Sequence, residues 1–278
     1  MPALLAAAVY FAAFSPAAVL FLTVVSQRPE RIILMFLSAF AWLVSISLSA
    51  SLWAALAPLK LATPWLLLHA TLFQEAGRYA MYFAYVRLLH WLRDAGLQPR
   101  GAGPISEMLP GAAVASGVGV WVVHTLVLYG DVLWRSALPG SLYTPMCTHL
   151  STFAVDAICA CGMGSVNVLL SLVGWTMAYP RGNALLVAGM VALHLLASAA
   201  TSLNSAQGLP VDGCTAAFPA LAAVVVLSGC LVACGIERSL KSERGLTGGS
   251  DVARSEVVVE VEPRRRRLNT RSRAAPGS

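Results

Sequence analysis

Between Arg31 and Ala57 the chain reads Ile32-Ile33-Leu34-Met35-Phe36-Leu37-Ser38-Ala39-Phe40-Ala41-Trp42-Leu43-Val44-Ser45-Ile46-Ser47-Leu48-Ser49-Ala50-Ser51-Leu52-Trp53-Ala54-Ala55-Leu56, without one Asp, Glu, Lys or Arg. A spanning helix needs about 20 mostly apolar residues, and this stretch exceeds that length. Six more stretches of the same kind follow or precede it: about Ala3 to Val25, Pro64 to Leu92, Met108 to Trp134, Thr148 to Tyr179, Ala184 to Leu203 and Thr215 to Ile236. The breaks carry the helix stoppers Pro29, Pro58, Pro104, Pro139, Pro145, Pro180 and Pro210. Composition agrees. The 278 residues are 58% hydrophobic and 12% charged, with a mean hydropathy of +0.72, whereas an ordinary soluble domain is about 45–50% apolar and about 25% charged. That excludes a disordered chain, a collagen and a disulfide-stapled secreted module, and leaves too little polar material to cover a soluble domain. The expected fold is all-α: a polytopic membrane protein of seven transmembrane helices.

Orientation follows from the Lys and Arg residues in the loops. With the N-terminus outside, the inner segments hold Arg28, Arg31, Arg87, Arg93, Arg100, Arg181 and ten basic residues after Glu237, whereas the outer segments hold only Lys60 and Arg135. The N-terminus is therefore expected to be lumenal or extracellular and the C-terminus cytosolic. The first stretch lacks a basic n-region and is about twice as long as a signal-peptide core, so it reads as a retained span. Residues 1–240 form the expected seven-helix transmembrane domain. Residues 241–278 form a basic cytosolic tail, expected to be disordered, with Arg264 to Arg267 at its centre. The net charge of +6 sits mostly there. No interleaved aromatic and basic groove for bases is present, so nucleic acid is not an expected partner. We read the tail as solvated; the alternative lays it on anionic headgroups, each basic residue contributing about 1 kcal/mol.

Ionisable groups at bilayer depth are costly and usually functional. The third span holds Leu72-Phe73-Gln74-Glu75-Ala76-Gly77-Arg78-Tyr79. Glu75 and Arg78 are three apart and project from one helical face. Paired, they largely cancel each other's charge, with Gln74 as a neutral donor and acceptor alongside. The pair is expected to act as a polar clasp to another helix, the alternative being a self-contained pair in a wet cavity. His194 lies in the middle of the sixth span and needs an interhelical partner in lipid. Asp156, Asn167 and His124 are its candidates, while His69 and Asp131 lie nearer the outer interface.

Six cysteines are present. Cys147 and Cys214 both fall outside, where an oxidising lumen permits a bridge. Without a distance, two unpaired small residues is the reading we prefer. Cys159, Cys161, Cys230 and Cys234 are read as packing residues, with acylation of the last two an alternative. No Cys and His spacing of a zinc site occurs, and no metal or cofactor is expected. Small residues recur four apart, as in Ala113 and Gly117, Ala115 and Gly119, and Ala160 and Gly164. Such pairs let helix backbones approach closely.

Three other readings fit the sequence less well. An intramembrane aspartyl protease would use Asp131 and Asp156, but Asp156 follows Ala154-Val155 instead of a Gly-x-Gly setting. A membrane serine protease would pair Ser165 with His194, but the glycine two places after the serine is missing. A seven-span receptor or transporter would require a water-filled polar cavity at mid-depth.

The segment Phe36-Leu37-Ser38-Ala39-Phe40-Ala41-Trp42-Leu43-Val44-Ser45 resembles the second span of the anterior-pharynx-defective (Aph) subunit family of γ-secretase. Leu72-Phe73-Gln74-Glu75 with Arg78-Tyr79 and Tyr85 is similar to that family's third span. His194-Leu195-Leu196 with Ser198, Thr201, Leu203 and Asn204 is similar to its sixth, and Phe14-Ser15-Pro16-Ala17 to its first. The resemblance covers roughly Met1 to Leu240. The long tail from about Ser242 has no counterpart in the family's pattern, and within the matching region the chain departs from it at two places. The family's Gly-x-x-x-Gly series in the fourth span is met by Gly117, Trp121 and Thr125, with Gly119 as a partial substitute. The family's fifth-span histidine is met by Ser171, with Asn167 one turn earlier.

The resemblance implies a non-catalytic scaffold that assembles with a presenilin-like aspartyl protease, a nicastrin-like glycoprotein and a small presenilin-enhancer subunit. That complex would cleave Notch-like receptors and amyloid-precursor-like proteins in the endoplasmic reticulum, Golgi, endosomal or plasma membrane. Gln74, Glu75, Arg78, His194, Asn167 and Ser171 would then be buried polar residues of assembly, and Gly117 and Gly119 would serve helix packing.

Overall fold

The computed structural model describes residues 3–56, 63–97, 104–136, 143–144, 147–204 and 212–254. Pro58, Lys60, Arg100, Pro139, Pro145, Pro210 and the Arg264–Arg267 run lie outside them, as do the side chains of Asp131 and Arg135. Among the described residues the long elements are all helices: α1 (Ala3–Leu20), α2 (Pro29–Ala55), α3 (Thr63–Asp94), α4 (Ile105–Ser136), α5 (Thr152–Val173), α6 (Ala184–Ser202) and α7 (Gly213–Arg254). One π-helical turn, Phe21–Val25, extends α1, and another, Gly174–Ala178, extends α5. A two-stranded antiparallel ribbon, β1 (Tyr143–Thr144) with β2 (Cys147–Ser151), lies between α4 and α5. The chain divides into a compact unit, Met1–Gly235, and a second unit, Ile236–Ser278, whose described part is helical as far as Arg254.

Local sequence sets the helix ends. Pro29 lies in the first turn of α2, where its missing N–H costs nothing, and Glu30 beside it complements the helix dipole. After α3, Gly96 adopts φ +67°. Its N–H reaches Arg93 O at 3.0 Å and the Leu97 N–H reaches Leu92 O at 2.9 Å, the paired bonds of a Schellman motif. Asn183 caps α6 by accepting from the Leu186 N–H at 3.1 Å.

Six of these helices contain described segments long and apolar enough to cross a membrane; α3 is the exception. Its 32 residues span about 48 Å, but Glu75, Arg78, Arg87, Arg93 and Asp94 lower its hydropathy. The protein is therefore an integral membrane protein. Its outer surface says the same, since Phe11 is 73% exposed, and Phe36, Phe40, Phe83, Val226 and Leu227 are all more than half exposed. An apolar belt of that extent needs an apolar solvent. Helix α2 shows the logic residue by residue. Phe36, Leu37, Phe40, Val44 and Leu48 face outward, while Leu34, Ser38, Trp42, Ser45 and Ser49 are buried at helical spacing. In lipid the small and polar face turns inward.

The core sits around α4 and α5. About two thirds of the apolar segment of each is buried, against about a fifth for α6 and α7. Helix α4 packs on α1, α2 and α5, while α5 also packs on α1 and α6, and α3 lies against α2 and α6.

Two sequence expectations are corrected. The fifth helix begins at Thr152 instead of Thr148, because Ser151 is extended at ψ 146° and its hydroxyl accepts the Ala154 N–H at 3.4 Å. The four residues before it belong to β2. Cys147 and Cys214 are bridged, with their Cα atoms 5.4 Å apart, so the unpaired reading is overturned. Sequence could not supply that distance: the two lie 67 residues apart, and helices α5 and α6 between them return the chain to its starting side.

Candidate functional site

The site grows out of α3. Its residues Thr71, Glu75 and Arg78 lie three and four apart and are each 6% exposed or less, so they form one inward face. Arg78 Nη1 donates to Glu75 Oε1 at 2.6 Å, closing an ion pair within the helix. Each of the two side chains also reaches another helix. Arg78 Nη2 donates to Asn167 Oδ1 on α5 at 2.7 Å. Asn167 is oriented for this because its Nδ2 donates to Met163 O at 3.0 Å. His194 on α6 places Nδ1 2.6 Å from Glu75 Oε1. A carboxylate that already receives the guanidinium can only accept, so Nδ1 carries the proton in this contact. Asn167 and His194 are fully buried. The result is a chain of charge-assisted hydrogen bonds, His194 to Glu75 to Arg78 to Asn167, that ties α3, α5 and α6 together with no net charge from its ion pair.

The structure thus brings four of the named polar residues into one cluster. The clasp reaches other helices of this chain. His194 meets Glu75, not Asp156, Asn167 or His124. Asp156 shares a face of α5 with Asn167 but lies three turns, about 16 Å, along the axis. Sequence alone does not pair Glu75 with His194, because nothing in either segment says that α3 packs on α6. Depth carries only a coarse signal, since Glu75 lies about three turns after the start of α3 and His194 about two turns before the end of α6.

Gln74 faces the other side of α3, where its Oε1 accepts from Trp42 Nε1 on α2 at 3.1 Å. Trp42 packs on the His124 ring of α4, with centroids 5.1 Å apart. Ser171, one turn below Asn167, is fully buried and its hydroxyl has no partner among the described residues. Beyond it, Trp175 and Tyr179 meet Tyr79, Tyr82 and Tyr85 of α3, with ring centroids 5.2–5.8 Å apart. This aromatic layer closes one end of the cluster. On the opposite side of Arg78, Ser38, Gln74 and Ser116 enclose a void of about 10 Å³, room for about one water.

Gly117 and Gly119 open two different contacts of α4. A Cβ on Gly117 would lie 2.6 Å from the Val168 Cα of α5, and one on Gly119 would overlap the Met35 carbonyl of α2. Neither helix could then approach so closely. Trp121 is fully enclosed, and its indole lies over Gly164 of α5, where a Cβ would overlap the ring. Thr125 is buried, and its hydroxyl has no partner among the described residues. Beside Trp121 it is Gly164 of α5 that leaves room for α4 and α5 to pack closely.

The serine constellation is not assembled as its chemistry requires. Ser165 donates to Cys161 O at 2.8 Å and lines an apolar groove between α1, α4, α5 and α7, whereas His194 is held by Glu75. The side chain of Asp131 lies outside the described residues. Among those residues, Cys147, Asp212 and Cys214 come within 4.8 Å of one another, but both sulfurs are consumed in the disulfide and no thiolate is left to ligate a metal.

The family described as Aph-1 protein matches residues 4–237. The chain is 28% identical over 230 residues to the gamma-secretase subunit APH1-like of Arabidopsis thaliana, covering 80% of this chain and 88% of that protein. It is 29% identical over 195 residues to the gamma-secretase subunit Aph-1 of Drosophila melanogaster, covering 70% and 79%. To the gamma-secretase subunit aph-1 of Caenorhabditis elegans it is 26% identical over 230 residues, covering 73% and 72%.

Proposed function

Because the chain belongs to the Aph-1 family, whose match runs through residues 4–237, we propose that it is the non-catalytic scaffold subunit of a gamma-secretase-type complex. That match is the observation that carries the reading. In this reading the seven helices all span the membrane, with the N-terminus lumenal or extracellular and the C-terminus cytosolic. The partners are a presenilin-like aspartyl protease, a nicastrin-like glycoprotein and a small presenilin-enhancer subunit. The complex resides in the endoplasmic reticulum, Golgi, endosomal or plasma membrane and cleaves Notch-like and amyloid-precursor-like proteins, with the chemistry done by the aspartates of the protease.

Two features support this role. The Glu75–Arg78–Asn167–His194 chain makes α3, α5 and α6 a preset frame, so a partner docks without first ordering it. The exposed apolar faces of α1, α2, α6 and α7 offer helix-sized surfaces to transmembrane partners. Within the scaffold, Gln74, Glu75, Arg78, Asn167, His194 and Ser171 act in assembly by fixing helix positions, and Gly117 and Gly119 by setting helix spacing.

A receptor or transporter is the second reading. The observation in its favour is a polar cleft beside Gln74 and His124. Affinity purification in mild detergent separates the two. Recovery of a presenilin-like protein with this chain supports the scaffold, and its absence under conditions that preserve the fold favours the second reading. Glycan tags at the two termini test the orientation, which is wrong if both are modified from the same side.

A further inference from the structure

Two short segments meet at the end of the molecule where α5 and α7 begin. Cys147-Thr148-His149 opens β2, and Asp212-Gly213-Cys214 leads into α7. Residues two apart on a strand share a face, so Cys147 and His149 project to one side of β2. In the second segment Asp212 Oδ1 accepts the Cys214 N–H at 3.0 Å, a turn that folds the carboxylate back beside its own cysteine. The disulfide joins the two segments. Two sulfurs and a carboxylate oxygen thereby come within 4.8 Å of one another, and His149 Nε2 lies 4.0 Å from Asp212 Oδ2.

These four side chains belong to one class of metal. Zinc is held tetrahedrally by thiolate sulfur at about 2.3 Å, imidazole nitrogen at about 2.0–2.1 Å and carboxylate oxygen at about 2.0–2.2 Å. Such lengths set neighbouring ligand atoms roughly 3.4–3.8 Å apart, so the group needs only to contract by about an ångström. The His149 side chain is 85% exposed, which leaves its ring free to turn inward. Both cysteines are buried, as ligands of a structural site are. A pair of soft thiolates selects zinc over magnesium or calcium.

Once the disulfide has formed, its sulfurs carry no charge to offer. Every chain, however, is made with two thiols. We propose that the reduced form of this pair is a zinc site, ligated by Cys147, Cys214 and Asp212 with His149 as the fourth ligand, and that the metal clamps β2 to the start of α7 until the disulfide replaces it. Binding exchanges the two thiol protons for one Zn2+. Oxidation then forms the S–S bond, expels the cation and passes two electrons to an oxidant of the disulfide class, which takes up two protons and leaves as two thiols.

The full chain in nanodiscs is first treated with N-ethylmaleimide, which blocks the exposed thiols Cys230 and Cys234 while the disulfide protects Cys147 and Cys214. A phosphine then reduces the disulfide, and Co2+ is added as the spectroscopic probe. The reduced chain should show thiolate-to-cobalt charge transfer and tetrahedral cobalt bands, the unreduced chain neither, and Zn2+ should displace the probe. Asp212→Asn keeps the oxygen that accepts the Cys214 N–H, yet it and His149→Ala should each weaken cobalt binding at least about tenfold. Alkylation of Cys147 and Cys214 by iodoacetamide, followed by peptide mass spectrometry on the reduced, unmutated chain, is a second readout. Zn2+ but not Mg2+ should slow it about tenfold or more. Cobalt bands absent after reduction, bands unchanged in both variants, or alkylation equally fast with and without Zn2+ would each overturn the proposal.

Discussion

Consider Glu75→Ala against the double variant Glu75→Ala/Arg78→Ala. The single change removes two contacts of 2.6 Å, to Arg78 and to His194. It leaves the Arg78 guanidinium, in a residue 6% exposed, with Asn167 Oδ1 at 2.7 Å as its remaining partner of the cluster. Breaking a buried pair from one side costs about 3–5 kcal/mol, because the surviving charge is stranded. The double change removes both charges. What remains unmet is His194 Nδ1 and Asn167 Oδ1, each worth about 1 kcal/mol between helices in a bilayer, or roughly 2 kcal/mol together. The double variant should therefore be the more stable by about 2 kcal/mol, roughly thirtyfold in the folded-to-unfolded ratio. Glu75→Ala/Arg78→Met keeps the volume of the arginine stem and should be at least as stable as the alanine pair. The assay is unfolding by dodecyl sulfate in mixed micelles, read by tryptophan fluorescence, with co-purification of a presenilin-like protein in parallel. A double variant no more stable than the single would refute the reasoning, since it would mean that Arg78 is not stranded when Glu75 is lost.

Three further outcomes are expected. His194→Ala should lower the yield of assembled complex by loosening α6 from α3, while the turnover of the complex that does form stays unchanged; full assembly with lost turnover would argue for a catalytic role instead. Gly164→Ala should be destabilising because its Cβ meets the Trp121 indole, and in the background of Trp121→Ala the same change should cost about 1 kcal/mol less or better, as measured by a double-variant cycle in the same micelle assay. Cys147→Ser opens a loop of 67 residues, and the chain-entropy account sets an upper bound of about 4 kcal/mol on the loss. The wild-type chain should run faster on a gel without reductant, and the variant should not.

Much of the fold was legible because lipid simplifies the code. Helix α2 announces itself by length alone, and Pro29 and Pro104 sit where α2 and α4 begin. The inward face of α3 follows from the spacing of Glu75 and Arg78. What sequence did not carry was relations between distant segments. Depth along each helix says that Glu75 and His194 lie at similar levels, but only packing of α3 on α6 makes them neighbours. Cys147 and Cys214 needed a distance. Helix α5 starts late because Ser151 can be extended as easily as helical, and the neighbouring ribbon and disulfide decide. The hydropathy of α3 misleads in the opposite direction, since two of the charges that lower it, Glu75 and Arg78, are buried inside the protein.

The Trp121–Gly164 contact has a consequence for comparing proteins of this kind. Helix spacing is a property of an interface, whereas a motif is written on one strand of text. Moving the missing side chain from α4 to α5 preserves the first while erasing the second. Neither substitution is tolerable unaccompanied: an indole facing a bulky neighbour collides, and a bare backbone facing another leaves a hole. Divergence at such a seam must therefore proceed by correlated exchange, and scoring each helix in isolation would mistake a relocated vacancy for a lost one.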